Sequence, residues 1–369
     1  MIESNKWPLR LGALALMAAA SLGQAGGFED PLDVAAQKNV LAAKSPLIGV
    51  ARAGARVVAT GPRGVIVYSD DGGKNWVQGR VPVRTDLLAV HFPSPLKGWA
   101  VGHGGVVLHT DDGGKTWVRQ IDGRQVSKLI LAHYATGEAG QNYVKREQSL
   151  INGGGTQPFM SVFFETEQRG YVVGTFNRIL RTNDGGKTWE PILQRVDNPK
   201  ELHFYAISAG PDGLYMVGEA GSVWKYDSAA DQFVQRPTPY DGTLFGIVVG
   251  DRKLVAYGMR GSVFLSKNQG ESWQRIDTGG HAGVSGGTLL DDGSVVLVNL
   301  AGTVFKSVEG AESFKSFRAP QSMSYFGVTP ADQNRLAFVG AEGIRLRGLA
   351  EVQAVAAPIR GAASGNAAQ

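Results

Sequence analysis

Three features of the sequence predict an all-β fold, and within that class a seven-bladed β-propeller. Glycine makes up 51 of the 369 residues, about twice its ordinary ~7% share. A pair of glycines three residues apart, followed by a short alternating strand, returns seven times with minor variation. A second turn signature, ending in tryptophan, follows several of those strands. Collagen would need glycine at every third residue, and no such period exists. Disorder would need few bulky apolar residues, but 43% of the chain is hydrophobic and 9% aromatic. A globular chain rich in tight turns remains. The absence of cysteine excludes a disulfide framework, a thiolate metal site, a cysteine nucleophile and a lipidated cysteine. At this length a large core can be buried without such staples. The formal net charge of +4 is mild, and no nucleic-acid partner is expected.

The N-terminus reads as a targeting segment. Lys6 and Arg10 precede an apolar run, Leu11–Ala20, and small residues follow at Gly23 and Ala25. This is the pattern of a Sec signal peptide over residues 1–25, cut between Ala25 and Gly26. The run is too short to span a bilayer, which takes about 20 apolar residues. The product is therefore expected to be periplasmic or secreted, with no direct membrane span. Residues 26–45 form an N-terminal segment, and 349–369 a small, polar C-terminal tail.

Residues 46–348 carry the repeats. The copies run from Gly61 and Gly64 before VIVYS to Gly340 and Gly343 before IRLRG. The second position of the pair falls at Gly64, Gly105, Asn177, Gly221, Gly261, Gly302 and Gly343, at intervals of 41, 72, 44, 40, 41 and 41. A period of about 40–45 residues with several short strands marks a propeller blade. In the second unit the strands should be Leu87–Phe92, Gly98–Val101, Val106–Thr110 and Thr116–Gln120. The one long interval holds an insertion, 124–154, between the last strand of one blade and the first of the next. Val126–Tyr134 within it could form a short amphipathic helix, and Asn152–Gly155 a hinge. The insertion should open on the same face as the Gly-x-x-Gly loops. Ring closure should use Phe28–Ser45 or Leu349–Val355 as the outer strand of the last blade.

The second signature is clearest in Ser69-Asp-Asp71-Gly-Gly-Lys-Asn-Trp76, Thr110-Asp-Asp112-Gly-Gly-Lys-Thr-Trp117 and Thr182-Asn-Asp184-Gly-Gly-Lys-Thr-Trp189. A weaker copy has Asn268 and Trp273, and two more have decayed. The acidic side chain can accept backbone N–H groups inside the turn, and glycine takes its positive φ. The tryptophan returns the chain to the core with an indole N–H that needs a partner. Asp71, Asp112, Asp184 and Asn268 therefore read as turn staples, not as catalytic or metal carboxylates. The pattern S/T-x-D-x-G-x-T/S-W is the Asp-box of BNR-like repeats.

The signal peptide, the blade length, the Gly98–Gly102 strand GWAVG and these boxes together resemble the photosystem II stability/assembly factor family of BNR-like propellers. The similarity covers about residues 46–348. It implies a seven-bladed propeller in a lumenal or periplasmic space and, for photosynthetic members, a non-enzymatic role in assembling a membrane complex. It also implies a basic interaction surface. The chain departs from the family by its insertion, its decayed boxes and the lack of the lipid-anchor cysteine that some members carry. A scaffold serving another envelope complex, such as a membrane exporter, is equally compatible with the fold.

Few residues of the sequence point to catalysis. Asp-boxes also occur in sialidases, but those announce themselves by an Arg-Ile-Pro motif that is absent here. A carbohydrate-active enzyme or lectin remains the alternative function, with Glu219, Asp241 and Glu342 as the face acids. His91, His103, His109, His133, His203 and His281 show no metal-ligand spacing. No catalytic residue, cofactor or metal is expected. What remains is a binding face. The Gly-x-x-Gly loops should display Arg63, His103, Arg178 and Arg260, and the blade connections Arg84, Lys200, His203, Tyr240 and Tyr325. Arginine and tyrosine are the residues of interface hot spots. The expected function is that of an exported, monomeric scaffold whose basic face binds a protein partner in a membrane complex.

Overall fold

The computed structural model describes residues 29–136, 140–318 and 321–354. The signal-peptide segment and the end of the tail lie outside them. Seven antiparallel sheets stand side by side, six with four strands and the last with three. They span residues 49–78, 87–121, 159–191, 204–235, 244–276, 284–317 and 325–348, each built from consecutive strands. Neighbouring innermost strands pack on one another around the ring, and the seventh, Tyr325–Pro330, packs on the first, Gly49–Ala53. The result is a seven-bladed β-propeller. In the second blade the strands are Leu87–His91, Gly98–Gly102, Val107–Thr110 and Val118–Ile121.

The second strand of each blade has neighbours on both faces, which explains its continuous apolar sequence. Gly98–Gly102, Gly170–Gly174 and Val295–Asn299 are buried at every position. A strand covered on both sides loses the alternation that marks a half-exposed one.

The Asp-box turns follow one hydrogen-bonding scheme. In the second blade, Thr116 N–H donates to Asp112 Oδ1 at 2.8 Å, Gly114 N–H donates to Thr110 Oγ1 at 3.0 Å, and the Thr110 hydroxyl donates to Asp112 at 2.8 Å. Gly113 and Gly114 take φ of 71° and 91°. Asp71 accepts from Asn75 N–H and Asp184 from Thr188 N–H, each at 2.9 Å, and Asn268 accepts from Ser272 N–H at 3.0 Å. The Asn75 backbone and side-chain donors hold the Asp71 carboxyl down at about 2. The tryptophans diverge. Trp117 is buried and its indole donates to Gly114 O at 3.0 Å, whereas the buried Trp189 and Trp273 Nε1 atoms have no partner among the described residues. Trp76 is half-buried.

The arrangement separates the need for an acceptor from the need for a charge. Asp112→Ala should lower stability by about 1–2 kcal/mol, the usual cost of stranding turn donors. Asp112→Asn should cost well under half of that, because Asn268 makes the same bonds with a neutral amide. Urea denaturation of the two variants checks this, and equal losses would contradict it.

Ring closure differs from expectation. The last blade keeps three strands, and neither terminal segment adds a fourth among the described residues. Ala42–Lys44 forms a 3-10 turn against the last strand, Gly343–Gly348, and Leu349–Ala354 is a helix. Residues 29–45 act instead as a strap across the loop face. Ala42 packs in the core shared by the first and last blades, Ala36 N–H donates to Val81 O at 3.0 Å, and Leu32 is buried against the second blade. Asp33 is clamped by Arg124 and Arg119, whose hydrogen bonds hold its carboxyl far below the usual range. The first and last blades are thus joined by side-chain packing around Ala42 and Leu47 and by Leu47 N–H donating to Gly340 O at 3.1 Å, contacts that leave no strand pattern in the sequence.

The insertion is a pair of helices, α1 (Gly123–His133) and α2 (Gln141–Asn152), packed on each other. Asp122 caps α1 in a reciprocal box with Gln125. Val126, Ile130 and Tyr134 enter the core between the second and third blades. Leu193 N–H donates to the Tyr134 hydroxyl at 3.0 Å, and burial pushes that phenol up to about 12. Helix α2 has no side-chain cap, and its one buried residue is Glu147. Its inward side carries Tyr143, Val144, Leu150 and Ile151, and Tyr143 and Val144 pack on the same core, so the buried acid interrupts an apolar stripe at its centre.

Candidate functional site: the loop face

The loops between second and third strands, the blade connections, the strap and the helical hairpin all lie on one face. Each Gly-x-x-Gly loop of the first five blades contains two successive residues in the left-handed region. These are Arg63–Gly64, Gly104–Gly105, Phe176–Asn177, Ala220–Gly221 and Arg260–Gly261. In four of these loops the second residue is glycine, for a further reason. A Cβ on Gly64, Gly221 or Gly261 would lie 1.9–2.2 Å from a carbonyl oxygen of the passing blade connection. The first residue faces no such wall. At that position Arg63 and Arg260 are both exposed, with φ of 55° and 56°. Left-handed backbone at a long side chain costs on the order of 1 kcal/mol, and the second blade has glycine at the same place.

The predicted face residues fall into groups. Arg63 and Arg84 line one cavity of about 520 Å³, joined by Lys38 from the strap. His103 is exposed beside it, with Nδ1 3.9 Å from Asp86, and Asp86 also accepts from Arg63 N–H at 2.9 Å. Tyr240 and Arg260 line a second cavity of about 700 Å³ with Pro239, Asp241, Ser262 and Arg275. The Tyr240 hydroxyl donates to Met259 O at 3.0 Å. Lys200 is exposed, and His203 packs its ring on Phe176 at 4.5 Å with Nδ1 3.7 Å from Glu219.

Two predicted residues are not on the surface. Arg178 is 2% exposed, and its Nη2 donates to both carboxylate oxygens of Glu147 at 3.0 and 2.8 Å. The loop register explains the error. Arg178 sits one position past the left-handed pair, where the other blades bury Val106, Ser222 and Ser262. Tyr325 is 2% exposed and packs on Phe338. It is the last regular residue before a bulge in the innermost strand, and the next residue, Phe326, is the half-exposed one. Counting the register against the other blades would have shown both. Lys38 lies in the strap, outside the repeats whose loops mark the face, and exposed Met259 and Leu300 on the loops carry neither charge nor a tyrosine ring.

The acids and histidines have other occupations. Glu219 accepts from His203 N–H at 2.9 Å, and Glu342 pairs with Arg345. Burial drives the His91 imidazole down to about 4, and its Nδ1 accepts from Phe164 N–H at 3.2 Å. Among the described residues no group of three or more histidines and acids could hold a metal ion, and no helix is long and apolar enough to cross a membrane.

Comparison with known proteins agrees with this architecture. The chain is 28% identical over 160 residues to the photosystem II assembly lipoprotein Ycf48 of Parasynechococcus marenigrum (strain WH8102), a match covering 42% of this chain and 47% of the relative. It is 28% identical over 157 residues to the protein of the same name from Prochlorococcus marinus (strain MIT 9312), covering 41% and 46%. These matches thus span about half the length of the curated relatives. Among solved structures, YCF48 bound to a D1 peptide is similar with a TM-score of 0.62 at 16% identity, covering 85% of this chain and 95% of that one. YCF48 from Cyanidioschyzon merolae is similar with a TM-score of 0.60 at 16% identity, covering 83% and 96%. The model of the family described as photosynthesis system II assembly factor YCF48 matches residues 54–127 and 150–333, stepping over the helical hairpin. With seven blades, Asp-box turns and that match across most of its length, the chain belongs to the YCF48 family of photosystem II assembly factors.

Proposed function

We propose that this protein is a non-enzymatic scaffold of the cell envelope, exported by its N-terminal segment, whose loop face docks an acidic segment of a membrane-complex protein. The observation that carries the reading is the pair Arg63 and Arg260. Both stand exposed in left-handed backbone where glycine would be less strained. Strain retained at a surface site points to a use for the side chain. The YCF48 neighbour bound to a D1 peptide supports a polypeptide as the ligand class. The same scaffold could serve photosystem II or, in a non-photosynthetic cell, a transporter. A glycosidase has less to stand on, because Glu219 and Glu342 are engaged by their own loops.

The double variant Arg63→Gly with Arg260→Gly tests the assignment. Relief of left-handed strain opposes the entropy cost of glycine, so stability should be unchanged or higher by up to about 1 kcal/mol. Affinity capture of a membrane-protein partner from source membranes should fall at least tenfold. Undiminished capture would remove these arginines from the interface.

A further inference from the structure

The innermost strands carry a feature outside the basic patch. Six blades begin that strand with a bulge, each marked by a register shift against the second strand. A bulge re-aims one side chain and is common at functional rims. The inserted residues are Leu88, Met160, Tyr205, Phe245, Ser285 and Phe326, all half-exposed at the loop-face mouth of the central channel. Five are large and apolar, with the Tyr205 and Phe245 rings 5.8 Å apart. In the sixth blade the residue is serine, which leaves a gap in the row of bulky side chains between Phe245 and Phe326.

The surroundings of Ser285 preserve that gap. Its hydroxyl is turned to backbone, donating to Tyr325 O at 2.6 Å. Two residues earlier, a Cβ on Gly283 would stand in van der Waals contact with Leu300 and Phe245, both at 3.6 Å, which places these two side chains along one wall. Leu300 and Met259 on the flanking loops are 43% and 40% exposed. The Arg260–Gly261 loop abuts Gly280 and His281, which lead into the sixth blade's innermost strand, and Arg260 of the same loop lines a cavity with Arg275 and Asp241. The strap and the hairpin cover loops of the first three blades, so this side of the face is the open one. A notch with apolar walls beside two arginines and one carboxylate fits an acidic chain carrying one bulky apolar side chain.

We propose that the Ser285 notch seats a single aromatic or branched aliphatic side chain of the docked acidic segment, replacing the bulky residue that the other blades supply themselves. The proposal rests on the docking reading above and adds an anchor to it. The probes are two fluorescein-labelled dodecapeptides of Asp, Glu, Ser and Gly, one with a central Phe and one with Ser in its place. Fluorescence anisotropy reads their binding to the full chain. Burying a phenylalanine predicts about tenfold or more tighter binding of the Phe peptide. Ser285→Phe should abolish that preference while leaving the Ser peptide unaffected. Phe245→Ser, which copies the residue tolerated in the sixth blade, should also reduce the preference. Arg260→Glu should weaken both peptides alike. No Phe preference in the unaltered protein, or a preference that survives Ser285→Phe, overturns the anchor while leaving the basic face standing. Affinities for both peptides that Arg260→Glu leaves unchanged, with the Phe preference intact, support the anchor and sink the basic face. Failure of both peptides to bind sinks both, and a dimer that Ser285→Phe dissociates would give the notch to a second copy of the chain and overturn the proposal.

Discussion

Glu147→Ala should lower stability by about 3–5 kcal/mol, the cost of stranding a buried charge. Glu147 is 1% and Arg178 2% exposed, and Ser127 donates to the same carboxylate at 2.5 Å. Burial depresses the Arg178 pKa and Glu147 partly offsets it. The guanidinium is already under-satisfied, since its Nε and Nη1 have no partner among the described residues. Removing the carboxylate leaves two routes. Arg178 stays buried at full cost, or the hairpin lifts and water reaches it. Urea denaturation reads the first, and protease cleavage between α1 and α2 reads the second. The double variant Glu147→Leu with Arg178→Met should recover most of the loss, because a buried pair replaced by apolar residues is often neutral or better. Loss below about 1 kcal/mol with no new cleavage would contradict a structural role for the pair.

Trp99→Ala should cost about 3–5 kcal/mol, the range for emptying a buried aromatic site. Trp99 is fully buried in the second strand of the second blade and lies flat on Phe164 of the third, at 3.5 Å and 11°. Its indole donates to Gln120 Oε1 at 3.1 Å, and Gln120 Nε2 donates to Gly185 O at 2.8 Å in the next Asp-box turn. One side chain thus joins two blades whose connection is interrupted by the hairpin. Trp99→Phe keeps most of the stacking and loses the indole donor, so about 1–2 kcal/mol is expected. Chemical denaturation of both variants checks the order. A Trp99→Ala loss no larger than that of Trp99→Phe would show that the cavity collapses without penalty.

The blades were legible because their grammar is local. Gly113 and Gly114 must turn, Asp112 must receive the turn's N–H groups, and Val107–Thr110 must alternate, all within one short window. The loop face was legible in part, since Arg63 and Arg260 lie on loops whose glycines announce them. What escaped depends on contacts distant in sequence. Arg178 meets a carboxylate 31 residues away, and the stripe of α2, Tyr143, Val144, Leu150 and Ile151, is interrupted by the acid at its buried centre. The strap joins the first and last blades through Ala42 and ties to the second through Asp33, and both read as ordinary loop residues. The bulges shift single residues such as Phe326 from core to channel mouth, and alternation alone does not reveal a one-residue slip.

The central claim is that the loop face, and not the Asp-box face, meets the partner. Site-specific photocrosslinking in source membranes tests it most directly. A benzophenone amino acid replaces exposed Met259 on the loop face in one protein and exposed Lys187 in an Asp-box turn in another. Cross-links from position 259 should map by mass spectrometry to one acidic segment of a membrane-complex protein, with few from position 187. Equal cross-linking from both positions, or cross-links from position 187 alone, would contradict the account.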